Sequence, residues 1–194
     1  SMSKINANRI VLRYPTVSFY HQDVYALDLL AYIFGNGQQS LLYQEFVTHK
    51  KIATSIRVSS ITPANEFGYF EIYIETDLAP FQIINDIQQY LDQIQWSGIN
   101  QERINRAKKQ KENEYILSQT SIDRYLKDIG QSMIMGNNPL FFSYYSKNFE
   151  FITNDELKAV TSIYLNDSIR QTTIFNNDES TKSIEKEVDP VPIE

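Results

Sequence analysis

Residues 33–46 read IFGNGQQSLLYQEF, and the fold turns on whether Gly35 to Ser40 is a phosphate cradle or punctuation between two helices. A dinucleotide fingerprint needs a strand running directly into the glycines, a third small residue and a downstream acid. Here the lead-in is helical in spacing: Val24, Leu27, Ala31 and Phe34 recur on one face, with Leu30 and Ile33 beside them. Ser40 holds the third position, and no Gly-Lys pair of the kind a Walker loop requires occurs anywhere in the chain. The stretch therefore reads as a helix ended by a left-handed C-cap at Gly35, a tight turn through Gly37, and a new helix. The Ser40 hydroxyl is expected to cap that second helix, whose apolar face is Leu42, Tyr43, Phe46 and Val47 and whose cationic end is His49-Lys50-Lys51.

Outward from this pivot the pattern is mixed. Residues 8–17 form a β-rich run stopped by Pro15. Residues 53–62 and 67–76 flank Pro63-Ala64-Asn65-Glu66 and predict a hairpin; in its second strand Phe70, Ile72 and Ile74 point one way and Glu71, Tyr73 and Glu75 the other. Such alternation means one buried and one wet sheet face, with helices on one side only. From Pro80, the residues Ile83, Ile84, Ile87, Leu91 and Ile94 make a helical stripe that ends near Gly98. Asn100 caps a further, mixed-charge helix in which Glu102 and Arg106 stand at i and i+4. Ile122, Leu126 and Ile129 continue a helical pattern to Gly130, and Arg124 lies amid it, placed to pair with a buried carboxylate or to cap a helix end.

The aromatic run of residues 139–151, PLFFSYYSKNFEF, suits either a core stripe or a binding face. Thr153-Asn154-Asp155-Glu156 opens a last helix with Leu157, Val160, Ile163 and Tyr164 inward, and residues 172–177 read as a closing strand. These elements predict an α+β, two-layer domain: a mostly antiparallel sheet with helices packed on one face. The domain spans 8–177, preceded by a lead-in over 1–7 whose Ser1-Met2-Ser3 reads as an expression scar, and followed by linker composition over 178–194.

Composition excludes several function classes. The chain has 194 residues, enough for one sizeable core, and its net charge of −6 is spread without a basic block, against a nucleic-acid groove. Apolar runs such as residues 29–34 are too short to span a bilayer. Without cysteine there are no disulfides or thiol nucleophiles and no mark of redox compartment, so a bacterial cytoplasm, periplasm or cell envelope would all be compatible. The two histidines, His21 and His49, do not have the helical spacing of zinc ligands, and no G-x-S-x-G nucleophile elbow occurs. No polar pocket for a free-standing small-molecule enzyme is announced.

Taken together, the segments resemble the pitrilysin or insulinase-type zinc peptidases, the family that includes the mitochondrial processing peptidase subunits. The pieces that carry the resemblance are DVYALDLLAYIFGNG followed by Ser40, Leu42, Tyr43 and Phe46; Gly68 and Phe70; GINQERINRAK at 98–108; Ser121, Arg124, Ile129 and Gly130; and ITNDELKAVTSIYL at 152–165. The resemblance covers about residues 10–177. It implies the fold just derived. In that family an inverted H-x-x-E-H motif binds zinc and activates water; this chain has no such motif, so no catalytic, cofactor or metal residue is transferred to it. The resemblance is to the metal-free second domain, which packs beside an H-x-x-E-H domain and helps shape a peptide chamber. The expected role is a non-catalytic domain of a zinc metalloendopeptidase, with zinc in the parent's catalytic domain, and with that domain and peptide substrate as partners. The alternative is an assembly module from a member that has lost peptidase activity. The metal-free halves sometimes grip substrate with an arginine and a tyrosine; Arg57, Tyr69, Tyr73 and Arg124 are conceivable counterparts, and none is assigned.

Overall fold

A computed structural model describes residues 8–63, 66–136, 138–175 and 182–184. In chain order these form β1 (Asn8–Pro15), α1 (Val24–Gly35), a π-helical segment (Tyr43–His49), β2 (Ser55–Ile61) and β3 (Tyr69–Thr76). There follow α2 (Pro80–Ser97), α3 (Gln101–Ser118), α4 (Ile122–Gly136), α5 (Phe141–Asn148), α6 (Asn154–Tyr164), β4 (Gln171–Phe175) and β5 (Lys182–Ile184). The strands lie in the order β2-β3-β1-β4-β5, every pair antiparallel. The α+β, helices-on-one-face architecture expected from the sequence is the one observed.

Register explains the layering. Ile10 faces Ile74 and Ile174, Leu12 faces Ile72, Tyr14 faces Phe70, and Ile56 faces Ile74, so one face of the sheet is a continuous apolar floor. The opposite face carries cross-strand partners of opposite charge, Arg9 with Glu75 and Arg13 with Glu71, the latter 2.7 Å apart. Being solvent-exposed, such pairs add only about 0–1 kcal/mol each. On the floor lie Ile83, Ile87 and Leu91 of α2 and Leu157 and Val160 of α6, all buried. The α6 start is held by a reciprocal capping box between Thr153 and Glu156, and Asn100 accepts from Glu102 N at the start of α3, both where the sequence placed them.

Helix α1 is apolar almost all round, with Ala26, Leu27, Leu29, Leu30, Ile33 and Phe34 buried, because it packs on the sheet on one side and on α3 and α6 on others. Its end differs from the expectation. Gly35 stays within the helix and has no positive φ; the residue is needed for space, since a Cβ there would stand 2.4 Å from both the backbone N and the Cβ of Val58 on β2. The left-handed turn falls instead at Gly37, φ 75°. Ser40 does not cap the next helix either: its hydroxyl donates to Gly37 O at 2.7 Å and closes the turn. That next helix widens into π geometry, with Lys50 N donating to Glu45 O, and ends at His49; two residues on, Lys51 takes a left-handed φ of 54°.

Two further readings are corrected. Ile163 is exposed, because the α6 face buried against α2 is that of Leu157, Val160 and Thr161. Arg124 is exposed and, among the described residues, pairs with no carboxylate. Residues 182–184, inside the stretch with linker composition, form the short strand β5 on β4. The lead-in over 1–7, the tip residues 64–65, the last two residues of the closing strand and the remainder of the tail lie outside the described residues.

Gly35→Ala is expected to lower stability by roughly 1–3 kcal/mol in urea unfolding, as overpacking does. Adding Val58→Ala should restore little of it, since alanine keeps both the Cβ and the backbone N that stand 2.4 Å away and removes only the Cγ2 at 2.7 Å; full rescue would show that the γ-carbons alone set the requirement.

Candidate groove beside the edge strand

Where α1 passes β2, the close approach at Gly35 opens on one side into a cavity of about 270 Å³. Its polar lining comes from Asp28, Tyr32 and Asn36 of α1, Ser59 and Ser60 of β2, and Lys111 of α3. Beyond Tyr32 and Asn36 a second hollow of about 100 Å³ continues between α1 and α3, past Gln39, Ser40, Arg103 and Arg106. Arg103 Nη1 donates to Gln39 O at 3.1 Å and holds the post-helix turn against α3. Along the same rim β2 is the edge of the sheet, and among the described residues no strand pairs with its outer side.

Asp28 is the one acid in α1, and two elements converge on it. From α5, the Tyr145 hydroxyl donates to Asp28 Oδ2. Asp28 Oδ1 and the Ser60 hydroxyl oxygen are both sealed from solvent with no hydrogen-bond partner of good geometry. Burial raises the Asp28 pKa above the ordinary 3.8, and the Tyr145 hydroxyl, the nearby Ser60 hydroxyl and the Lys111 ammonium offset part of that rise. Tyr145 is itself pushed well above the usual phenol range, by burial first and then by the Asp28 charge. It is fixed by an aromatic cluster: Phe19 stacks on it with centroids 5.8 Å apart, and Tyr25, Phe141 and Phe149 surround it at 4.9, 5.9 and 5.4 Å. In the run at 139–151, Phe149 is buried and Tyr145 bonds to Asp28, while Tyr144 and Phe151 are exposed.

Lys111 sits over the Tyr32 ring at 4.8 Å and the Phe149 ring at 5.8 Å, a position that tethers the cation to the cavity mouth. The Tyr32 hydroxyl donates to Glu114 Oε1 at 2.9 Å, and burial followed by that carboxylate raises its pKa to about 12. Tyr32 is therefore a neutral hydrogen-bonding group at any physiological pH. The groove offers acceptors, hydroxyls and one cation beside a free strand edge; it pairs no nucleophile with a base. Nor do the residues fit zinc: His21 lies 3.7 Å from Asp23 and His49 3.8 Å from Glu45, and among the described residues no three potential ligands converge.

The conceivable substrate-gripping residues lie elsewhere. Arg57, stacked over Tyr73 at 4.6 Å, and Tyr69, under Arg13 at 4.9 Å, occupy the wet sheet face, and Arg124 is on α4. Sequence reasoning passed over Asp28, Tyr145 and Lys111. A visible signal existed for Asp28, a lone carboxylate in the middle of VYALDLLAYIFG; nothing in sequence ties it to Tyr145, 117 positions away.

A family model described as the peptidase M16 inactive domain matches residues 2–111. Solved structures share the fold. A protease from Helicobacter pylori superposes with a TM-score of 0.80 at 19% identity over 88% of this chain. An inactive peptidase domain from Bordetella parapertussis gives 0.77 at 15% identity over 92% of this chain and 95% of its own. A peptidase M16 inactive domain from Pseudomonas fluorescens gives 0.74 at 17% identity over 93% of this chain. This chain spans only 41% of the Helicobacter chain and 43% of the Pseudomonas chain. A comparison with the curated proteins finds no match.

A buried carboxyl with a raised pKa favours the fold while protonated, so its contribution to stability is complete below pH 3.8 and is lost as pH rises through the folded-state value. Asp28→Asn removes that loss. The stability of the variant relative to the native chain should climb as pH rises above about 4 and then level off; a pH-independent difference in urea unfolding would contradict it.

Proposed function

The chain belongs to the family of peptidase M16 inactive domains, and from that premise we propose that it is the non-catalytic member of a zinc endopeptidase domain pair, lining the chamber in which a peptide is held. The observation that carries this reading is the groove beside the free edge of β2. An extended peptide recognises such an edge through its main chain, each added hydrogen bond contributing a net ~0.5–1.5 kcal/mol regardless of side chain. Alternate side chains of that peptide would enter the hollow between α1 and β2. There Tyr32, Asn36 and Ser59 offer hydrogen-bonding groups, and Lys111 offers a positive charge.

The division of labour follows from what this chain's residues can do. They bind and orient an extended segment and exclude water around it; they hold no proton-transfer pair on the cavity wall. Zinc in the parent's catalytic domain would polarise the scissile carbonyl and activate water. Holding the peptide in one conformation lowers the entropic part of the barrier for chemistry performed by the other domain.

The test is direct. The purified chain should contain no stoichiometric zinc by elemental analysis and should cleave no unstructured peptide, while such a peptide shifts the amide resonances of residues 55–61 and of the cavity wall at Asp28, Tyr32 and Lys111. Stoichiometric metal with metal-dependent cleavage by this chain would sink the reading, and shifts confined to the opposite edge of the sheet would remove the groove from it.

A further inference from the structure

We infer that the outer face of α4, together with the adjoining end of α3, is the surface on which a companion domain of the same fold docks. The inference rests on the domain-pair reading above and adds to it the location of the contact. Asp128 and Ser132, one turn apart, face the rest of the domain. The Ser118 hydroxyl donates to Asp128 Oδ2 at 2.6 Å, Gln119 Nε2 approaches the same oxygen at 3.3 Å, and Phe142 N approaches the buried Ser132 hydroxyl at 3.4 Å. Ile122, Leu126 and Met133, at i, i+4 and i+11, form a stripe about a third of the way round the helix, 73%, 59% and 46% exposed. An ordinary surface helix does the opposite, turning its apolar stripe inward. Here the polar side is anchored and the apolar side is presented.

The presented area is large. Ile122 is 73% exposed and Ile134 83%, and Leu126, Met133, and Ile116 and Leu117 at the end of α3 are each near half exposed. Tyr125, Leu140 and Tyr144, 43%, 54% and 55% exposed, stand at its margin. A soluble monomer rarely carries an apolar patch beyond a few hundred Å².

The occupant follows from chain lengths. In the Helicobacter and Pseudomonas structures the fold of this chain fills 41% and 43% of the polypeptide, which leaves in each a remainder long enough for a second unit of similar size. A companion joined in that way acts at an effective concentration near millimolar, so a face of this kind stays covered without needing high intrinsic affinity. The α4 surface is distinct from the groove, so a domain docked there leaves the edge of β2 free.

The experiment uses this chain and the zinc-bearing companion from the same organism, with binding followed by titration calorimetry and self-association by sedimentation. Leu126→Glu and Ile134→Glu are chosen because both side chains are exposed, and unchanged thermal unfolding of each variant verifies the fold. Thr173→Glu, on the wet sheet face, serves as control. The expected result is binding by the native chain and the control, and a loss of at least about tenfold for each α4 variant, the scale of an interface hot spot. Equal binding by the α4 variants would overturn this location and leave the domain-pair reading standing. Self-association of the native chain abolished by the α4 variants, with companion binding unaffected, would assign the face to a second copy and likewise overturn it. No binding of the native chain to the companion at concentrations approaching millimolar would overturn both.

Discussion

The contact between Gly35 and Val58 is the constraint on which the rest of the molecule depends. Helix α1 is buried on nearly every side, so its position is dictated by the sheet beneath it and by α3 and α6 against it. It can lie that close to β2 only because residue 35 carries no side chain at the point of nearest approach. Once the helix end is pinned there, the wall upstream of the pin is Asp28, Ala31 and Tyr32, and the wall of β2 is Val58 to Ser60. The cavity is the wedge between a helix and a strand that touch at one end. The turn that follows, through Gly37 with Ser40 bonded back to Gly37 O, then redirects the chain into the π segment whose Phe46 fills the core. Packing at a single glycine thus fixes both the core and the opening beside it.

A carboxylate in such a helix is costly, and its neighbours show how the cost is contained. Tyr145 meets one oxygen of Asp28, Lys111 supplies a positive charge that partly offsets the burial, and each comes from a different helix, α5 and α3. Neither forms a tight ion pair that would neutralise the group outright; Lys111 is held over two aromatic rings instead. The second oxygen and the nearby Ser60 hydroxyl make no hydrogen bond of good geometry. A buried polar group left in that state costs about 1–3 kcal/mol.

Legibility from sequence followed the range of the interactions. The alternation of Phe70, Ile72 and Ile74, the stripe from Ile83 to Ile94, the Asn100 cap and the Thr153–Glu156 box are local, and each is where the pattern put it. Gly35 and Ser40 were read with the right position and the wrong cause, because the sequence around them is equally consistent with a left-handed cap and with a close approach, and only the distant Val58 decides between these. The place of β1 between β3 and β4, which joins residues separated by most of the chain, has no local signature at all. The same holds for the Asp28–Tyr145 bond. The family resemblance supplied what locality could not, namely that the apolar segments assemble into one known architecture.

The rotation of α4 shows a limit of another kind. Periodicity tells which residues share a face but not which way the face points. Ile122, Leu126 and Ile129 read as a continuing helical pattern, and burial is the usual fate of such a stripe. Here the hydrogen bonds to Asp128 and Ser132 determine the rotation, and they do so through groups that hydropathy alone would place in solvent. Each polar residue turned inward displaces an apolar one outward, so the domain forgoes burial that its own composition permits. That trade is unfavourable for an isolated domain, since large exposed apolar side chains gain nothing from water. It becomes favourable when a second surface removes the same side chains from solvent. The inward hydrogen bonds then fix the angle at which the stripe is offered, giving the contact a defined orientation as well as an area.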